Sequence, residues 1–89
     1  MSMPNYAVIV TFSFDDQVSV LLFETQEEAL NFIKKDILEE YCIDVDENGW
    51  DSEYAIFEDE GRAVLTTHWR DVDDVTEWRI GTVYDHKEG

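Results

Sequence analysis

Apolar and polar residues alternate from Asn5 to Phe14, with Tyr6, Val8, Val10, Phe12 and Phe14 on one side and Ala7, Ile9, Thr11 and Ser13 on the other. A period of two marks a β-strand, because successive side chains point to opposite faces of a sheet. Asp15 and Asp16 break the run, and Gln17 to Phe23 resumes it with Val18, Val20 and Leu22 in step. The two segments predict an antiparallel hairpin closed by a short acidic turn. Ile9, Leu21 and Phe23 put apolar side chains on the second face as well, which predicts burial on one face and partial cover on the other.

The period then changes. Leu30, Ile33, Ile37 and Tyr41, flanked by Ala29 and Leu38, recur at intervals of three and four, while Glu27, Lys34, Lys35, Glu39 and Glu40 fill the intervening positions. That is an amphipathic helix with one apolar stripe to lay on the hairpin. Thr25 and Glu28 have the spacing of a capping box, in which side chains satisfy backbone donors left open at a helix start. The helix is predicted to end near residues 41–43, before an Asp-rich loop that closes with Asn48 and Gly49.

Three further strands follow, over Glu53 to Glu58, Arg62 to Trp69 and Val75 to Tyr84. Asp59-Glu60-Gly61 and Asp71-Val72-Asp73-Asp74 separate them as turns. In the last strand Trp78, Ile80, Thr82 and Tyr84 share a face, with Trp78 the surest core member of the three tryptophans. The order ββαβββ with short connections predicts an α+β two-layer fold, an antiparallel sheet with one helix packed on one face. Residues 1–89 are expected to form a single domain, with frayed ends at 1–4 and 86–89.

Charge changes the picture. The 89 residues carry 22 Asp and Glu against 6 Lys and Arg, a formal net charge of −16. A hydrophobic content of 44% is too high for a disordered polyanion, so the charge is expected to coat a real core. Such a surface repels nucleic acid and anionic membranes and attracts basic partners. The excess is concentrated: Asp36, Glu39, Glu40, Asp44, Asp46, Glu47, Asp51, Glu53, Glu58, Asp59 and Glu60 lie in one stretch without a Lys or Arg. Stability and solubility alone ask only for a net charge of magnitude about 2–8 in a small domain. These carboxylates, with Trp50 as a partly exposed aromatic anchor, are therefore the expected binding surface. The expected function is a non-enzymatic acidic module that engages a basic protein surface. One form of that role is a nucleic-acid mimic that inhibits a nucleic-acid-binding enzyme. The plainer alternative is a solvated acidic surface with no charge-specific partner.

A second alternative lies in Asp44-x-Asp46-x-Asn48-Gly49, which matches the first half of an EF-hand calcium loop. The second half departs from it: Ala55 stands where a bidentate Glu is required, and Asp51 where the position is ordinarily apolar. Asp44, Asp46 and Asn48 are thus weak metal candidates, and no metal or other cofactor is expected. Cys42, His68 and His86 lack ligand spacing, and His68 reads as a surface or cross-strand residue. There is no Gly-rich phosphate loop, and so many carboxylates make any chosen pair uninformative about acid–base catalysis. One cysteine, no apolar run of about 20 residues and no basic leader at the start predict a soluble cytoplasmic chain, monomeric or homodimeric, without a membrane partner.

Overall fold

The computed structural model describes residues 5–83. Its elements are β1 (Tyr6–Phe12), β2 (Asp15–Phe23), α1 (Gln26–Cys42), a π-helical turn (Ile43–Glu47), β3 (Asp51–Phe57), a 3-10 turn (Glu58–Glu60), β4 (Arg62–Trp69) and β5 (Val72–Thr82). The five strands form one antiparallel sheet in the order β2-β1-β5-β4-β3. This is the two-layer α+β architecture that the alternating periods predict. The first and last strands pair at the centre of the sheet, so β2 and β3 are its edges. Helix α1 connects one edge to the other and must cross the whole face between them.

The crossing is made by the apolar stripe. Ala29, Ile33 and Ile37 are fully buried, and they pack on Val8 and Val10 of β1, Ala63 and Leu65 of β4 and Trp78 of β5. Burying a side chain such as Ile or Val contributes about 1.5–3 kcal/mol, so this short cluster supplies most of what holds helix and sheet together. Tyr41 meets Tyr54 of β3 edge to face at 5.0 Å, and Phe32 lies tilted against Phe23 of β2 at 5.3 Å, which fastens the helix at both edges. The Trp78 indole N–H donates to Asp36 at 2.9 Å, so the largest core residue keeps its one polar atom satisfied by the helix.

The helix starts where its spacing predicts, with half of the expected capping box, since among the described residues the Glu28 carboxylate meets the Thr25 hydroxyl and not a backbone donor. The Thr25 hydroxyl oxygen accepts from the Glu28 backbone N–H at 3.1 Å, and the hydroxyl donates to the Glu28 carboxylate at 3.2 Å. Its end differs from the loop expected there: the chain winds on through Ile43–Glu47 as a π-helical turn, closed by the Asn48 N–H bonding the Ile43 carbonyl at 3.0 Å. Leu38, placed on the stripe by its spacing, is 42% exposed.

Three further expectations are corrected. The first hairpin turns at Ser13 and Phe14, with Asp15 and Asp16 already inside β2, because the Ser13 N–H and hydroxyl both bond the Val75 backbone of β5 and hold the turn there. The last hairpin turns in two residues, Arg70 and Asp71, so β5 begins at Val72 and takes in Asp73 and Asp74. Strand β3 begins two residues earlier than expected, at Asp51. Gly61 closes the β3–β4 connection with φ at 61°, where a Cβ would meet the Ile80 Cβ at 3.3 Å. The expectations for Tyr84, His86 and the frayed ends fall outside the described residues.

The phase of β2 is decided by its partner. Val8 pairs with Leu21 and Val10 with Ser19, so Leu21 and Phe23 face the helix. Val18, Val20 and Leu22 point the other way, each more than half exposed on the face of the sheet that no helix covers. On that open face they adjoin Thr11, Ile9 and Ala7 of β1.

A candidate interaction site at the acidic end of the sheet

The pairing register sorts the carboxylates. The β1–β2 turn, the start of β3, the β4–β5 turn and the C-terminal end of α1 all come to one end of the molecule. Asp15 and Asp16 enter it from β2, Asp51 and Glu53 from β3, and Asp71, Asp73 and Asp74 from the last hairpin. Glu39, Glu40, Asp44, Asp46 and Glu47 close it from the helix and the π turn. Of the stretch from Asp36 to Glu60, only its first part belongs here. Glu58, Asp59 and Glu60 follow β3, a whole strand away, at the opposite end. There Glu58 pairs with Lys34 at 3.1 Å and Glu60 with Arg62 at 3.4 Å. Linear adjacency puts these three in one segment, and the strand between separates them.

At the acidic end, no Lys or Arg forms an ion pair among the described residues, although Arg70 stands in the last turn. Among the described residues, His68 alone bridges carboxylates there. Its Nδ1 is 2.8 Å from Asp73 and its Nε2 3.9 Å from Glu53, a cross-strand arrangement on the open face. The hydrogen bond that the His68 ring donates to Asp73 raises the His68 pKa above the ordinary 6.5, and the charges of Asp73, Asp51 and Glu53 reinforce it. Cys42 is exposed at the end of α1, on the helix side of the sheet, so it and His68 do not meet.

Asp44 is the exception among these acids, buried to 8% exposure. Its carboxylate lies 2.9 Å from the Thr67 hydroxyl and 3.2 Å from the Ser52 hydroxyl, which are 2.8 Å apart, and with one proton each the two hydroxyls donate two of these three contacts at a time. This knot pins the π turn to β3 and β4. It also takes Asp44 away from Asp46 and Asn48, which remain exposed, so the three calcium candidates do not share a face. Among the described residues, no three of His, Cys, Asp and Glu lie close enough together to hold a metal ion.

Between the helix and the strand ends runs a groove. One part, about 250 Å³, is lined by Phe12, Phe14, Trp78, Asp36 and Glu40, and the next, about 200 Å³, by Phe14, Glu40, Asp44, Trp50, Trp69 and Asp74. Trp50 and Trp69 lie tilted against each other at 4.6 Å and are each 38% exposed, so the expected anchor Trp50 comes as one of a pair. Asp36, Glu40 and Asp44 recur every four residues and form one wall. Partial burial raises the Glu40 pKa, and Asp36, Asp44 and Glu39 raise it further. Phe14, Asp15 and Asp16 are not among the candidate binding residues that the sequence singles out. Turn-forming acids far apart in the chain carry no signal of proximity until the strands are paired.

No family model, curated protein or solved structure matches the chain.

Proposed function

We propose that this chain is a binding module, not an enzyme, and that its acidic end receives a basic protein surface in place of nucleic acid. The supporting observation is that the carboxylates gather where they harm the fold. The last turn of α1 holds no basic residue, and Glu39 and Glu40 stand at the negative end of the helix dipole. Asp36, Glu40 and Asp44 oppose one another at intervals of four. Local rules broken together at one place, with the core otherwise regular, are the pattern of a functional surface. A cationic side chain entering the groove would neutralise Glu40 and lie against the exposed faces of Trp50 and Trp69, combining charge with aromatic contact.

The test is capture from a host lysate across a salt series, with duplex DNA as competitor. A basic nucleic-acid-binding protein should be retained at about 50 mM salt, released by about 500 mM, and displaced by DNA. The triple substitution Asp46→Asn, Glu47→Gln, Asp51→Asn should abolish retention, since all three carboxylates are exposed. Capture indifferent to salt, or unchanged in the triple variant, removes the reading.

A further inference from the structure

We propose that two copies of this chain associate through antiparallel pairing of their β2 edges, extending the sheet across a twofold axis at Ser19. The two edges of the sheet are built differently. Strand β3 carries Asp51 and Glu53, charges that keep a further strand from adding. Strand β2 carries no charge from Gln17 to Phe23, no proline and no lysine, in a chain whose residues are 31% charged. Its one register shift against β1 lies at the turn, so the edge from Val18 to Phe23 is regular, and among the described residues no strand pairs with its outer backbone groups.

The outward side chains suit a second copy. Val18, Val20 and Leu22 are 55%, 58% and 57% exposed, and they continue onto Ile9 on the same open face. Centred on Ser19, the pairing sets Val18 opposite Val20 of the second copy and Asp16 opposite Leu22. No carboxylate then faces another across the seam. Centring on Val20 instead would set Asp16 against Glu24, a like-charge pair that sheets disfavour.

Charge also selects the antiparallel sense. In each copy the acidic end lies at the Asp15 end of β2, while Arg62 and Arg79 lie toward the other half of the sheet. Antiparallel strands carry the two acidic ends to opposite extremes of the joined sheet, and parallel strands would set them side by side. The seam is the part of a −16 molecule where a second copy meets apolar groups and free backbone.

Sedimentation equilibrium of the full chain tests this. Because the seam is apolar and the net charges repel, the dimer should tighten as salt rises from about 50 to about 500 mM. Capture of a basic partner should weaken over the same range, so failure of one reading is distinguishable from failure of the other. Val20→Glu should raise the dimer dissociation constant about tenfold or more, with circular dichroism unchanged because the side chain is exposed. Leu22→Glu should do the same, and Ala55→Glu on the β3 edge should do nothing. A monomer at all concentrations and salts overturns the proposal. So does a dimer indifferent to Val20→Glu and Leu22→Glu, or one broken by Ala55→Glu.

Discussion

Glu77 and Glu40 are the same side chain in opposite circumstances. Glu77 lies on β5 between two guanidinium groups, accepting from Arg62 at 2.6 Å and from Arg79 at 3.2 Å. The hydrogen bond from Arg62 holds its pKa below the ordinary 4.5. The reciprocal bond holds the Arg62 proton more tightly, and the guanidinium also lies over the Phe57 ring at 5.0 Å. Glu40 has carboxylates for neighbours and a pKa pushed the other way. Few cations are available, and the fold spends Lys34, Arg62 and Arg79 on acids away from the acidic end. The difference teaches that the charge excess is distributed by placement of the bases, since acids occur at both ends.

Three measurements would break or sharpen that contrast. The largest effect is expected where the acidic end is tied to the sheet. Thr67→Val deletes a hydroxyl donor to the buried Asp44 carboxylate, and urea unfolding should show a loss of about 2 kcal/mol, the scale of a buried hydrogen bond to a charged group. An unchanged midpoint would mean the knot does not hold the π turn.

Next come the two glutamates themselves. Glu77→Gln should destabilise by about 1 kcal/mol, while Glu40→Gln should stabilise by about 0.5 kcal/mol as like-charge pairs on the helix are removed. The two signs should also separate with pH. Glu77, with its depressed value, contributes stability that is present above 4.5 and lost as pH falls through the folded pKa. Glu40, with its raised value, binds its proton more tightly when folded, so its term favours the fold at low pH and is lost as pH rises through the folded pKa. Matching signs in the two variants would erase the contrast between the ends.

The smallest effect belongs to His68. Its folded pKa is raised above 6.5, so its contribution is complete below 6.5 and disappears as pH rises through the folded value. Proton NMR titration should find that value above 6.5, and Asp73→Asn should bring it down. A wild-type titration at or below 6.5 would remove His68 as a bridge between β3 and β5.

Much of the fold is legible before any coordinates. A change from period two to intervals of three and four, with Thr25 and Glu28 at the boundary, locates the helix and its start. What escapes is decided between strands. Both faces of Gln17–Phe23 carry apolar residues, so the alternation is compatible with either phase until Val8 pairs with Leu21. The Asp15-Asp16 pair has ideal turn composition, yet Ser13 has the hydrogen bonds to β5 and takes the turn. The candidate site is legible as composition and not as position. Trp50 and Asp46 could be singled out from their segment, but Asp74 and Trp69 reach the same groove only through the register of β4 against β5. Glu58 leaves it for the same reason.

The hydroxyl knot around Asp44 has a consequence for recognition. By fastening the wide turn to two strands, it gives the acidic end its shape before anything docks there. A molecule arriving at that end has little chain ordering to oppose it, and substitutions at exposed carboxylates should act on how readily the encounter forms. Loosening the knot should act differently, lowering affinity through entropy while leaving every surface charge in place.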